Sequence, residues 1–156
     1  MTFLPVLTKD AILDCLLKRF KGELVYTYVG DIVIPVNPFK NTGCVGKAIR
    51  AKYKGLTNKM SVPPHVYALV DATYSQMMME GKSQSILISG ESGAGKTEAM
   101  KVALTYIGEL SAGKGKSGGN SEVATRLMQT NPVMEGIGNA KTVRNNNSSR
   151  FGKHFD

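Results

Sequence analysis

Apolar residues between Thr8 and Gly22 fall at Ala11, Ile12, Cys15, Leu16 and Phe20, a helical spacing. Lys18, Arg19 and Lys21 occupy the opposite face. Thr8 suits the N-cap of that helix and Gly22 its end. Leu24–Val29 is then rich in β-branched and aromatic residues, and Ile32–Val36 follows after Gly30-Asp31. Two such runs around a two-residue link predict a hairpin, with Pro35 at an edge or bulge. Asn37-Pro38-Phe39-Lys40 is a turn signal. A short basic helix is expected within Val45–Tyr53, where Lys47, Arg50, Lys52 and the following Lys54 form a solvated face. Pro63-Pro64 opens another helix, with Val66, Leu69, Val70, Tyr74, Met77 and Met78 along one side. Its methionines are expected to pack in the core.

Ser85-Ile86-Leu87-Ile88-Ser89 has the length and apolarity of a buried strand. Ala99, Val102, Ala103, Tyr106, Ile107 and Leu110 return to helical spacing. Residues 111–120 have the glycine, serine and lysine content of an exposed surface loop. Ser121 can cap a helix through Thr130, stopped by Asn131-Pro132. The tract Asn139–Arg150 is polar and carries three consecutive asparagines, so it suits neither a core helix nor a core strand. Taken alone it would be a linker. Strand-like alternation resumes at Phe151-Gly152-Lys153-His154-Phe155, so the polar tract lies between folded pieces.

Composition adds bounds. The 156 residues suffice for one ordinary domain, and 42% hydrophobic with 21% charged residues reads as globular. No apolar run approaches the ~20 residues of a membrane span. The N-terminus has no basic n-region and does not read as a signal peptide. Cys15 and Cys44 form no spaced motif, which suits a reducing, cytoplasmic compartment. The net charge of +8 raises nucleic acid as a partner. The positive residues are spread along the chain without interleaved aromatics, so nucleic acid is not expected.

The chemistry concentrates at Gly90-Glu91-Ser92-Gly93-Ala94-Gly95-Lys96-Thr97. It fits the pattern of Gly, four residues, Gly-Lys-Ser/Thr, and lies between the expected strand and helix. A triphosphate needs many donors converging on a small anion. Backbone N–H groups supply them where side chains do not block the approach. The start of the helix adds unpaired N–H groups and the positive end of its dipole. Lys96 would neutralise charge between the β- and γ-phosphates, and Thr97 would ligate Mg2+. In such a protein the dense polar tract after Asn139 suggests a second wall of the phosphate site.

The chain resembles the N-terminal part of a myosin motor domain. Four stretches carry the resemblance in order: Val36–Lys40, Gly90–Glu98, Gly138–Thr142 and Asn145–Lys153. The last is similar to the myosin switch I loop, and the likeness runs from about Leu4 to Phe155. The resemblance implies an α/β fold: a phosphate-loop NTPase-type mixed sheet flanked by helices, here an incomplete myosin head core. It implies an adenine-side loop at 37–46, a phosphate loop at 90–97, a variable surface loop at 111–120 and switch I at 139–153. It further implies actin-activated ATP hydrolysis with ATP and Mg2+, and light chains in a full protein. By the same likeness Lys96 contacts the β- and γ-phosphates, and Thr97 and Ser149 ligate Mg2+. Ser148 lies near the γ-phosphate and the attacking water. Asn145 reaches the phosphates. Asn37, Pro38, Lys40 and Glu98 border the adenine, and Arg150 pairs with a switch II glutamate.

Two positions depart from the family pattern. Val45 stands where many myosins carry a tyrosine near the adenine, and Glu135-Gly136-Ile137-Gly138 replaces Glu-Ala-Phe-Gly before the switch. A looser adenine pocket is expected. The sequence has no switch II motif and none of the segments that carry the actin interface, so it reads as a head fragment with little turnover of its own. The competing readings are another phosphate-loop ATPase and a nucleotide-binding regulator without turnover.

Overall fold

A computed structural model describes residues 4–56, 58–112, 126 and 128–152. These fall into two compact units, 1–87 and 88–156. Among the described residues no helix is long and apolar enough to cross a membrane.

The first unit begins with α1 (Lys9–Lys21), whose N-cap Thr8 accepts the Ala11 N–H on its hydroxyl at 3.2 Å. The helix stops at Gly22, as its sequence predicts, but Gly22 keeps φ −87° and the left-handed residue is Glu23 at φ +59°. The Leu24 N–H reaches the Arg19 carbonyl at 2.9 Å and the Glu23 N–H reaches Phe20 at 3.0 Å. That pair of bonds is the Schellman arrangement, here closed on a non-glycine residue. Arg19 then ties α1 to the next strand, donating to Thr27 Oγ1 at 2.9 Å and to the Tyr26 carbonyl at 2.7 Å.

Strands β1 (Tyr26–Val29) and β2 (Ile32–Pro35) form the expected antiparallel hairpin, with Val29 opposite Ile32 and Tyr26 opposite Pro35. Pro35 ends its strand, where a missing N–H costs least. The basic stretch is α2 (Lys47–Arg50), continued by a 3-10 turn over Ala51–Tyr53. Helix α3 (Val66–Glu80) starts behind the two prolines and ends on Gly81 at φ +62°. Its Val66 and Val70 are buried as expected, but the other buried apolar residues are Tyr67 and Ala68 rather than Leu69 and Tyr74, which are half-buried: the first turns are covered around most of their circumference rather than on one face. The methionine expectation needs correcting: Met78 and Met79 are exposed, Met79 by 86%. They lie in the last turns, beyond the buried residues of the first turns.

Asp71 is only 2% exposed, and its carboxylate accepts the N–H groups of Gly55 at 3.1 Å and Leu56 at 2.9 Å. Two backbone donors satisfy the buried charge and fix the loop before α3. Aromatic packing completes this unit. His65 stacks on Tyr67 at 4.2 Å between centroids and lies 4.3 Å from Tyr26 and 5.2 Å from Tyr53.

In the second unit α4 (Lys96–Ala112) buries Ala103, Tyr106, Gly108 and Leu110, close to the predicted face. Residues 113–125, including Ser121 and most of the surface loop, lie outside the described residues, as do Lys153, His154 and Phe155. Asn131-Pro132 does not merely stop a helix. It opens α5 (Asn131–Gly138), with the proline in the first turn, where no N–H is needed. After it, β3 (Asn139–Ala140) pairs antiparallel with β4 (Ser148–Ser149), so the polar tract returns on itself.

Helix and strand are thus mixed, but one mixed sheet is not assembled among the described residues; there are two separate two-stranded ladders. Residues 85–89 form no ladder, and Leu87 is 92% exposed. An apolar run announces a strand only where a neighbour pairs with it, and a parallel neighbour comes from far along the chain.

Candidate functional site

The site is built where α4 begins. Gly93 and Gly95 take φ of +84° and +91°, which lets the loop curl ahead of the helix. Lys96 turns its ammonium onto the loop itself, donating to the carbonyls of Gly90 at 2.6 Å and Glu91 at 2.8 Å. A strong cation is therefore held at the loop. Thr97 is half-buried one residue into the helix.

The tract 142–149 stands against this loop. The Ser92 hydroxyl lies 3.2 Å from Thr142 Oγ1 and donates to Ser148 Oγ at 3.4 Å. Glu91 forms an ion pair with Arg144. A Cβ at Gly93 would meet the Arg144 carbonyl at 3.2 Å, so the two backbones approach more closely than a side chain would comfortably allow. Within the tract, the Thr142 N–H donates to the Asn145 carbonyl at 2.7 Å, and Thr142 Oγ1 accepts the Asn145 N–H at 3.0 Å. Asn145 Oδ1 accepts the Asn147 N–H at 3.0 Å, and Asn139 Nδ2 donates to Asn147 Oδ1 at 2.7 Å. Asn145 and Asn147 of the asparagine run thereby serve turns and cross-links, the role short polar side chains fill best.

The structure brings most of the sequence-predicted residues into one unit: Gly90, Glu91, Ser92, Gly93, Ala94, Gly95, Lys96, Thr97, Asn145, Ser148 and Ser149. Ser148 is half-buried and Ser149 is exposed. Arg150 is exposed, its N–H bonded to the Gly138 carbonyl at 3.0 Å. Glu98 is engaged elsewhere, with Lys101 at 3.0 Å, and Lys101 also lies 3.3 Å from Glu135. Burial works against that ammonium, but the two carboxylates outweigh it and its pKa is raised.

Asn37, Pro38 and Lys40 belong to the first unit. Asn37 Oδ1 caps the Phe39 N–H at 2.9 Å, and Asn41 does the same for Gly43 at 2.9 Å. Lys40 is paired with Glu23 at 2.5 Å, which lowers the Glu23 pKa. Val45 is partly exposed between Gly43 and Gly46, both at positive φ.

Sequence reasoning missed the contacts that hold the two walls together: Glu91 with Arg144, and Ser92 with Thr142. One signal was available. A threonine three residues before an asparagine, at Thr142 and Asn145, is the spacing of a side-chain-capped turn.

The arrangement suits a magnesium triphosphate. The loop supplies a positive-φ backbone curl, a helix start and a lysine already in place. Thr97 stands at the helix start and Ser148 is brought to the loop through Ser92, and hydroxyls are hard oxygen donors, the type Mg2+ prefers.

The family model described as "Myosin head (motor domain)" matches residues 1–156. The chain is 46% identical over 159 residues to the myosin IC heavy chain of Dictyostelium discoideum, covering 100% of this chain and 13% of that protein. It is 44% identical over 155 residues to Myosin-1 of Neurospora crassa, covering 99% of this chain and 12% of that protein. The myosin ID heavy chain of Dictyostelium discoideum is 46% identical over 157 residues, covering 100% of this chain and 14% of that protein.

Proposed function

The chain belongs to the myosin motor-domain family, and on that premise we propose that it is the ATP-binding portion of a motor that couples ATP hydrolysis to movement along actin filaments. The observation that supports this most is the meeting of two loops in one unit. The phosphate loop carries the lysine and the helix start, and the tract 142–149 brings two hydroxyls and a guanidinium against it. Phosphoryl transfer is mostly positioning and charge stabilisation, and two facing polar walls supply both.

Backbone N–H groups of residues 90–97 would hold the phosphates, with Lys96 turning from the loop carbonyls to the β- and γ-phosphates. Thr97 and Ser149 would hold Mg2+, and Asn145 would reach the phosphates. Ser148 would orient water at the γ-phosphate. The bound ion would neutralise charge developing on the phosphate oxygens. Arg150 would hold the tract closed against a carboxylate from another part of a full head. The adenine-side role of Asn37, Pro38, Lys40 and Glu98 rests on family likeness alone. The same holds for the loop boundaries 37–46, 90–97, 111–120 and 139–153. The chain spans 12–14% of the length of the relatives it matches. Actin contact, light chains and full turnover would therefore draw on parts of a head beyond these residues, in the cytoplasm.

Calorimetric titration of Mg-ATP into wild type and Lys96→Ala tests the assignment. Removing the ammonium takes away charge-assisted contacts worth roughly 1.5–3 kcal/mol, or about 10- to 150-fold in affinity. Equal affinities for the two proteins would rule out the nucleotide reading.

A further inference from the structure

Arg144 has no role in the nucleotide reading, and Glu91 serves there only through its backbone. Their side chains form an ion pair on the flank of the phosphate loop, both largely exposed. An isolated exposed pair contributes little. This pair is framed differently. Arg144 sits in a turn closed on either side by Thr142 and Asn145, so its backbone is already fixed. The absence of a Cβ at Gly93 brings the Arg144 carbonyl to the loop, so the guanidinium starts beside its partner. Pairing therefore need not order the backbone of the turn as well. Glu91 also carries Lys96 on its carbonyl, so the loop lysine and the facing turn meet at one residue.

We infer that Glu91 and Arg144 are positioning residues, and that their ion pair sets where the 145–149 segment stands against the phosphate loop. The inference deepens the nucleotide reading and rests on it for its effect on affinity. Ser92 supplies the inner contact to Thr142 and Ser148, and the ion pair supplies the outer one. Two separated contacts fix the orientation of the turn, where one would leave it free to pivot. The turn itself is otherwise open, with Val143 fully exposed at its tip.

The chain has no tryptophan, so Val143→Trp gives a single fluorescent reporter next to Arg144. In that background, Glu91→Gln, Arg144→Gln, the double variant and Arg144→Lys are compared in the full chain. Tryptophan anisotropy reads the turn, and calorimetry reads Mg-ATP. Each glutamine variant should lower the anisotropy and weaken Mg-ATP by about two- to fivefold. The double variant should be no worse than the weaker single. Arg144→Lys should recover most of the loss. At ~1 M salt, where screening acts within ~3 Å, the differences should close. Additive losses in affinity would mean that Arg144 acts on the nucleotide directly, and unchanged anisotropy would mean that the pair holds nothing. Either result overturns the inference. If the reference chain binds no Mg-ATP, the nucleotide reading falls while the anisotropy cycle still decides the pair.

Discussion

A glycine can be required by what lies against it rather than by its own torsions. At Gly138 an added Cβ would fall 2.3 Å from Cδ1 and 3.0 Å from Cγ of Phe151. The backbone there is strapped, because the Gly138 carbonyl accepts the Arg150 N–H at 3.0 Å. An aromatic ring cannot swing aside as a lysine tip would. Gly138→Ala should therefore destabilise the second unit by about 1–3 kcal/mol, the usual cost of overpacking. It should also weaken Mg-ATP, since Phe151 lies two residues beyond Ser149. Urea midpoints together with nucleotide titrations check this, and an unchanged midpoint would refute it. In sequence Gly138 reads only as part of a motif. Its reason, a ring thirteen positions later, is a tertiary fact. Glycine at 90–95, in contrast, was legible, because the phosphate-loop spacing carries its chemistry locally.

The elements divide along the same line. The hairpin, α1 and α4 follow from periodicity and turn residues, each settled within a dozen positions. The start of α3 was not legible. The two prolines pointed to it, but the cap is His65, whose Nδ1 accepts the Tyr67 N–H at 3.0 Å. Its Nε2 lies 2.9 Å from the Cys44 carbonyl, so Nε2 carries the proton and donates. The side chain is 3% exposed, and burial drives its pKa down to about 4, against a smaller opposing pull from Cys44. The unfolded chain binds this proton near the ordinary value of 6.5, before the folded one does. Stability from His65 is thus fully present above pH 6.5 and is lost as pH falls toward 4. A shift of this size corresponds to a loss on the order of 3 kcal/mol. Protonation also removes the acceptor that caps α3. Thermal melts of wild type from pH 7.5 to 4 should fall more steeply below pH 6.5 than those of His65→Asn, which retains a capping oxygen without titrating. Parallel curves would exclude His65 as the acid-sensitive group. The run 85–89 shows the opposite limit: its apolarity was plain, but a ladder depends on a partner that local pattern cannot name.

At the scale of the whole molecule the open question in the composition was what a net charge of +8 serves. Two partners fit it, nucleic acid and nucleotide, and they differ in how charge is used. A nucleic-acid surface neutralises many phosphates at once, so its affinity falls with salt at a slope near −0.9 per contact. Here the cations are dispersed or already engaged: Arg19 on β1, Lys40 on Glu23, Lys59 on Asp31, Lys101 between two glutamates. Lys96 alone of these points into a loop shaped for phosphate. The molecule should therefore bind one small polyanion chiefly through one cation held at the phosphate loop. Mg-ATP should stabilise the folded chain by mass action, about 2.7 kcal/mol at a hundredfold excess over Kd. Duplex DNA of the same phosphate concentration should give no comparable shift at ~150 mM salt, and the Mg-ATP shift should shrink to about 0.3–1.4 kcal/mol in Lys96→Ala while the unliganded melting temperature stays close to wild type. Scanning calorimetry with each ligand, at low and moderate salt, separates the two uses of charge. A DNA-induced rise in melting temperature that collapses steeply with salt and survives Lys96→Ala would assign the charge to nucleic acid instead.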